Sequence, residues 1–282
     1  MSLSPSHLAS PIAVARGEAR WVWPLFITLV MLGLSLVYWK IEERELADKR
    51  QQGFAQAADQ IALNIHRRMA SFELALRAVK GLVENSEDVS RREFRGYFEA
   101  LQLNDTQPGL QGLGIATLVP QAMRDNHVAH MRKTAFANYR IHPVGERTQY
   151  VPITLIEPYA DKNTAAIGFD VASNPSIAPV LARARDSGAM ALTNGIRLVQ
   201  DAGQDIKAVV MYLPIYSKGA PLATPDERRA AVRGWVSGPL RVADLMAGLG
   251  KQLDEDIGIA IYDGSVVSPV NRLYGDSEAL PP

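Results

Sequence analysis

GFDVASNPSIAPVLARARDSGAMALTNGIRLVQDAGQDIKAVVMYLPIYS, residues 168–217, alternates strand and helix signals at short range. Asn174 followed by Pro175 predicts a helix start, because an Asn side chain caps orphan N–H groups and proline suits the first helical position. The helix reads APVLARARDS and stops at Gly188, the residue type usual just past a helix end. Two strands are predicted after it, AMALTNGIRLV and IKAVVMYLPIY. The second is a nearly continuous apolar run, the pattern of a strand buried on both faces. Between them Asp201, Ala202 and Gly203 suit a hairpin loop. Helices laid on antiparallel strands give a mixed α/β content of the α+β class.

Upstream, residues 40–85 read as one long stalk helix, charged at first (IEERELADKRQQ) and then amphipathic. Ala62, Ile65, Met69, Phe72, Leu76, Val79 and Val83 are spaced 3-4-3-4-3-4, a heptad stripe. Such a stripe either packs on its own domain or forms the seam of a homodimer. Ser90 and Glu93 make a capping-box pattern, and a helix is expected to follow to about Leu103. LQGLGIATLV reads as a strand stopped by Pro120, and residues 121–136 as a helix. TQYVPITLIEP and NTAAIGFDV read as a β-rich stretch.

Downstream, SKGAPLATPDERR (residues 217–229) is polar and contains Pro and Gly, the composition of a linker. Beyond it AAVRGWVSGPL, RVADLMAGLG and IGIAIYDG predict strand, helix and strand. These place one unit at 86–216 and a smaller second unit at 230–282, incomplete at Pro282.

WVWPLFITLVMLGLSLVYW, residues 21–39, is an unbroken apolar run. At 1.5 Å per residue it is long enough to cross a bilayer of roughly 30 Å as a helix. Trp21, Trp23, Tyr38 and Trp39 stand at its ends, where amphipathic rings favour the headgroup layer. The run ends in Val-Tyr-Trp-Lys, a poor signal-peptidase site, so an uncleaved anchor is expected rather than a removed signal. Arg16 and Arg20 against Glu18 keep residues 1–20 cytoplasmic, which leaves residues 41–282 outside.

The remainder, about 240 residues, is long enough for a sizeable core. Net charge is zero, so no basic footprint points to nucleic acid. The absence of cysteine excludes disulfides, thiolate metal sites and Cys nucleophiles. His127 and His130 stand three apart on an expected helix, without the further ligands of a zinc-protease spacing. They read as solvated surface histidines. No Walker A, G-x-S-x-G or helix-opening G-x-G-x-x-G is present, and neither catalysis nor a cofactor is expected.

The segment quoted first, with PGLQGLGIATLVP upstream of it, resembles the CHASE domain, an extracellular sensor of plant cytokinin receptors and bacterial membrane signalling proteins. The shared order is Asp170 at a strand end, a helix closing in Ala-Arg-Asp-Ser-Gly188, Ala-Leu-Thr193, and a strand ending Leu-Pro-Ile-Tyr216. The resemblance implies a long N-terminal helix and two PAS-like units with antiparallel sheets, a membrane-distal one at 86–216 that holds the ligand and a membrane-proximal one at 230–282. It also implies that Asp170 anchors an adenine-like ring and that Leu192 and Thr193 line the pocket. Tyr212 stands where plant members carry a threonine. Its phenol shrinks or reshapes the cavity, which argues against cytokinin itself.

Read from the residues alone, Asp170 either accepts a ligand hydrogen bond or caps the turn before the Asn174 helix. Leu192 and Tyr212 are either core or ligand wall. Arg197 either borders the cleft, suited to a carboxylate, or is solvated. The expectation is a small-molecule sensor region held in a cell inner membrane with its domain in the periplasm or extracellular space. A histidine kinase or cyclic-di-GMP enzyme would then follow residue 282. The alternative is a membrane-anchored extracytoplasmic enzyme or structural domain.

Overall fold

The computed structural model describes residues 19–103, 109–201, 206–247 and 258–275. The chain divides into two compact units, residues 1–59 and 60–282. Helix α1 (Ala19–Asn85) contributes to both. In the first unit the most apolar window of α1 has a mean hydropathy of 1.9 and none of it is buried. By length and composition that segment can cross a membrane. The expected tail, residues 1–20, lies outside the described residues except for its last two positions.

The second unit is built on one antiparallel sheet with the strand order β4-β1-β7-β6-β5. Its strands are β1 (Leu113–Thr117), β4 (Ile153–Glu157), β5 (Ala191–Leu192), β6 (Ala208–Tyr216) and β7 (Val232–Arg241). Strands β2 (Val119–Pro120) and β3 (Gln149–Tyr150) form a small second sheet. Strands β8 (Ile261–Tyr262) and β9 (Arg272–Tyr274) form a third. The apolar run of β6 is continuous because both faces of the sheet are covered. Val209, Met211, Leu213 and Ile215 join one core with α1, whereas Val210 and Tyr212 join another with helix α4 (Ala178–Ser187).

Phe72, Leu76 and Val79 of the α1 stripe are fully buried in the first of these cores, with Met69 and Val83 packed at its edge. This half of the stripe therefore belongs to its own chain and is not a dimer seam. Gly238 of β7 makes the close approach possible, since a Cβ there would sit 3.0 Å from Leu76 Cδ1. The capping box at Ser90 and Glu93 forms as expected and opens helix α2 (Arg91–Ala100), whose Phe94 and Phe98 are buried. The helix expected at 121–136 is a short 3-10 turn followed by helix α3 (Arg124–Thr134).

Three local expectations change. Asn174 does not cap the helix directly. Its side chain accepts from Ser176 N in a turn, and α4 begins at Ala178 with Pro179 in its first turn. Gly188 ends α4 in the left-handed conformation, φ 72°, as its type requires. NTAAI forms a 3-10 helix rather than a strand, tied down by Asn163 Nδ2 donating to Pro158 O and Gln111 O. AMALTNGIRLV keeps only β5 as strand, and touches β6 again through Ile196 and Ala208.

The polar stretch at 217–229 is not all linker. Thr224 and Glu227 form a second capping box that opens helix α5 (Pro225–Ala231). The strand expected to open a new unit, β7, is instead the centre of the main sheet, paired along its length with β6 and also with β1. Helix α6 (Val242–Ala247) follows it. Residues 248–250 of the expected helix and 202–203 of the expected hairpin loop lie outside the described residues.

Candidate ligand-binding site

The face of the sheet opposite α1 holds a small, partly open cavity of about 50 Å³. Val210 and Tyr212 of β6, Ser237 and Pro239 of β7, and Ile153 and Ile156 of β4 form its floor. Phe169, Val171 and Ile177 close one side. The segment from Ile196 to Gln200, after β5, forms the outer wall. The walls are mainly apolar, with a few polar groups reaching in from Tyr212, Ser237, Asn174, Gln200 and Arg197, a composition common to small-molecule sites. One water needs about 10–15 Å³ on the same measure, so the cavity has room for a few water-sized groups. A ring-sized ligand needs the outer wall to move outward.

That wall is held at several points. The backbones of Ile196 and Ala208 exchange hydrogen bonds of 2.8 and 3.0 Å. Gly195 N donates to Asp263 Oδ2 at 2.8 Å, which ties the segment to the β8–β9 hairpin. Gln200 Nε2 donates to Asn163 Oδ1 at 3.3 Å. At its far end Asp201, whose side chain is wholly buried, accepts two hydrogen bonds from Arg241, at 2.6 and 3.1 Å. Asp201, expected in an exposed hairpin loop, is thus the wall's buried anchor. Its partner is 40 residues away on another strand, so no local pattern marks it.

Of the five residues singled out from sequence, Tyr212 and Arg197 line this cavity. Tyr212 is buried, and burial pushes its phenol above the usual tyrosine range, so it stays a neutral donor and acceptor. Arg197 is exposed at the rim. Thr193 is one layer back. Its hydroxyl accepts from Val210 N at 2.9 Å and its own N–H donates to Val210 O, which fixes a floor residue. Leu192 packs against the core on the α1 side.

Asp170 is fully buried, and its neighbours Phe169 and Val171 line the cavity while Asp170 itself does not. Its Oδ1 accepts from Val151 N at 2.8 Å and Ala172 N at 3.2 Å. Its Oδ2 stands 3.4 Å from Arg147 Nη1 and has no hydrogen-bond partner among the described residues. The bond to Ala172 N is a cap of the turn at 171–173. In this arrangement the carboxylate braces the wall that Phe169 and Val171 present.

His127 departs from the surface reading. It is partly buried, with Nε2 3.1 Å from the Tyr139 hydroxyl. Burial, with His130 nearby, pushes its pKa down to about 4. Among the described residues no group of three or more His, Cys, Asp or Glu is placed to hold a metal.

Comparison with known families adds one finding. Residues 87–274, more than half of the chain, match the family described as CHASE domain. No curated protein matches the chain.

Proposed function

From the premise that the chain belongs to the CHASE domain family, whose members are extracellular sensor domains of signalling receptors, we propose that it is a membrane-anchored sensor of a small molecule. The observation that carries this reading is the small, mainly apolar cavity between the sheet and the segment at 196–200. Tyr212 supplies its buried hydrogen-bonding group and Arg197 its cationic rim. Asp170 and Thr193 position the walls from behind, and Leu192 braces β5 from the other face. A ligand opens the wall and is held by it. The Gly195–Asp263 bond then passes the displacement to the β8–β9 hairpin. A ligand drives this only through its difference in affinity between the closed and opened states.

Residues 21–39 of α1 span an inner membrane and the sensor unit faces the periplasm or extracellular space. A homodimer forms through the part of α1 before Met69, since the later stripe is used within the chain. The signal ends in a cytoplasmic histidine kinase or cyclic-di-GMP enzyme.

The test is a thermal-shift screen of the chain in lipid nanodiscs against adenine derivatives, amino acids and small carboxylates. A stabilising compound whose effect is lost in Val210→Phe, where the new ring fills the cavity, supports the reading. Stabilisation that persists in Val210→Phe, with the fold intact by circular dichroism, overturns it.

A further inference from the structure

A second cavity, of about 330 Å³, lies on the other face of the sheet, where the end of α1, the start of α2 and helix α3 meet β1 and β4. It falls within the range of roughly 300–1,000 Å³ usual for small-molecule sites. Ile115, Leu155 and Met131, all buried, give it an apolar floor. Charged residues of both signs line it. Glu87 and Asp88 stand on the connection into α2, with Arg91 just after them and Arg233 on β7.

Among the described residues neither arginine pairs with a carboxylate. Arg91 lies over the rings of Phe136 and Tyr159, 4.8 and 4.0 Å from their centres. Such stacking orients the guanidinium plane and leaves its in-plane N–H groups for another acceptor. The Arg233 guanidinium has no polar partner among the described residues. The only ion pair of the two acidic residues among the described residues is that of Asp88 Oδ2 with His130 Nε2, 3.8 Å away and largely exposed.

A simple anion meets Glu87 and Asp88 on approach, and a simple cation meets Arg91 and Arg233. A molecule carrying one charged group of each sign on a single carbon satisfies both. An apolar floor beneath such a rim favours an aliphatic tail over a sugar or a polar side chain. We propose that this helix-side cavity binds a zwitterionic aliphatic α-amino acid. Arg91 and Arg233 hold its carboxylate, Glu87 and Asp88 its ammonium, and Ile115, Leu155 and Met131 its side chain. Val83 of α1 lines the same cavity, so occupancy bears on that helix. The site is separate from the one on the opposite face and does not depend on it.

The experiment is calorimetric titration of the chain in nanodiscs with L-leucine, 4-methylpentanoate (which lacks the ammonium) and 3-methylbutylamine (which lacks the carboxylate). Leucine is expected to bind, and each analogue to bind at least tenfold more weakly. Arg233→Ala should weaken leucine tenfold or more. Thr134→Trp, an exposed α3 position lining the cavity, should block it while circular dichroism shows the fold retained. Val210→Phe, on the other face, should leave leucine affinity unchanged. Failure of leucine to bind the natural chain overturns the proposal, as does equal binding of 4-methylpentanoate. Loss in Val210→Phe but not in Thr134→Trp also overturns it, by placing the amino acid in the first cavity, and leaves the sensor reading standing.

Discussion

Replacing Asp170 by alanine should destabilise the fold before it touches ligand affinity. The substitution removes the acceptor of two backbone N–H groups, Val151 and Ala172. Leaving a buried donor without a partner costs about 1–3 kcal/mol. Val151 is fully buried and bears the whole penalty, whereas Ala172 is half-buried and recovers part of it from water. Arg147 is partly exposed and can turn to solvent once its carboxylate is gone, which adds little. The sum is about 2–4 kcal/mol. For a domain of this size each kcal/mol moves Tm by about 2–4 °C, giving a fall of about 4–16 °C. Asp170→Asn keeps an oxygen at the Oδ1 position for Val151 N and Ala172 N but turns an amide NH2 toward Arg147, so its fall should be smaller than that of alanine. Thermal melts followed by circular dichroism on the chain in detergent measure both. If alanine and asparagine both melt with the natural chain while ligand affinity drops, the bracing account is wrong and the carboxylate touches ligand.

Phe72→Glu should unfold the sensor unit, since it puts a charge into a fully buried site at a cost above about 4 kcal/mol, whereas Ile65→Glu should keep its circular dichroism spectrum and lower only self-association in sedimentation. Arg241→Met strands the buried Asp201 carboxylate with Lys162 4.0 Å away, so a loss of about 3 kcal/mol is expected, with faster amide exchange at residues 196–201. A melt unchanged by that variant would show that the Asp201–Arg241 pair does not anchor the wall. The folded chain protonates His127 only near pH 4 and the unfolded chain near 6.5, so the unfolded state binds more protons between these values and stability falls as pH drops through that window. His127→Gln should flatten the melting temperature there, and an unaltered profile would show that other groups govern it. Residues 21–39 should hold the chain in the pellet after alkaline carbonate washing, with the original N-terminus still present on sequencing; a soluble chain starting near residue 40 would refute the anchor.

What the sequence disclosed was what short-range physics decides. The Ser90–Glu93 box, Gly188 at the end of α4 and the doubly buried β6 each follow from a few adjacent residues. The place of β7 does not. Its neighbours β1 and β6 lie on both sides of it in the sheet, and β1 is more than a hundred residues earlier, so register depends on packing rather than on local pattern. The polar composition of 217–229 suggested a boundary because a capped surface helix and a linker use the same residues. The heptad spacing of α1 was legible, but periodicity tells only that a face is covered, not which chain covers it. Tyr212 could be placed near a cleft from the family resemblance, and Arg197 from the strand expected to border the same cleft. Asp201–Arg241 and the mixed-charge rim around Arg233 were invisible, since each joins residues from distant parts of the chain.

The measurement that tests the central claim most directly is a pair of calorimetric titrations, natural chain against Val210→Phe, with the compound that stabilises the natural chain most. The account predicts that the variant, folded by circular dichroism, binds at least a hundredfold more weakly, because the ligand and the added ring compete for one cavity of about 50 Å³. Equal affinity in the two chains would contradict it.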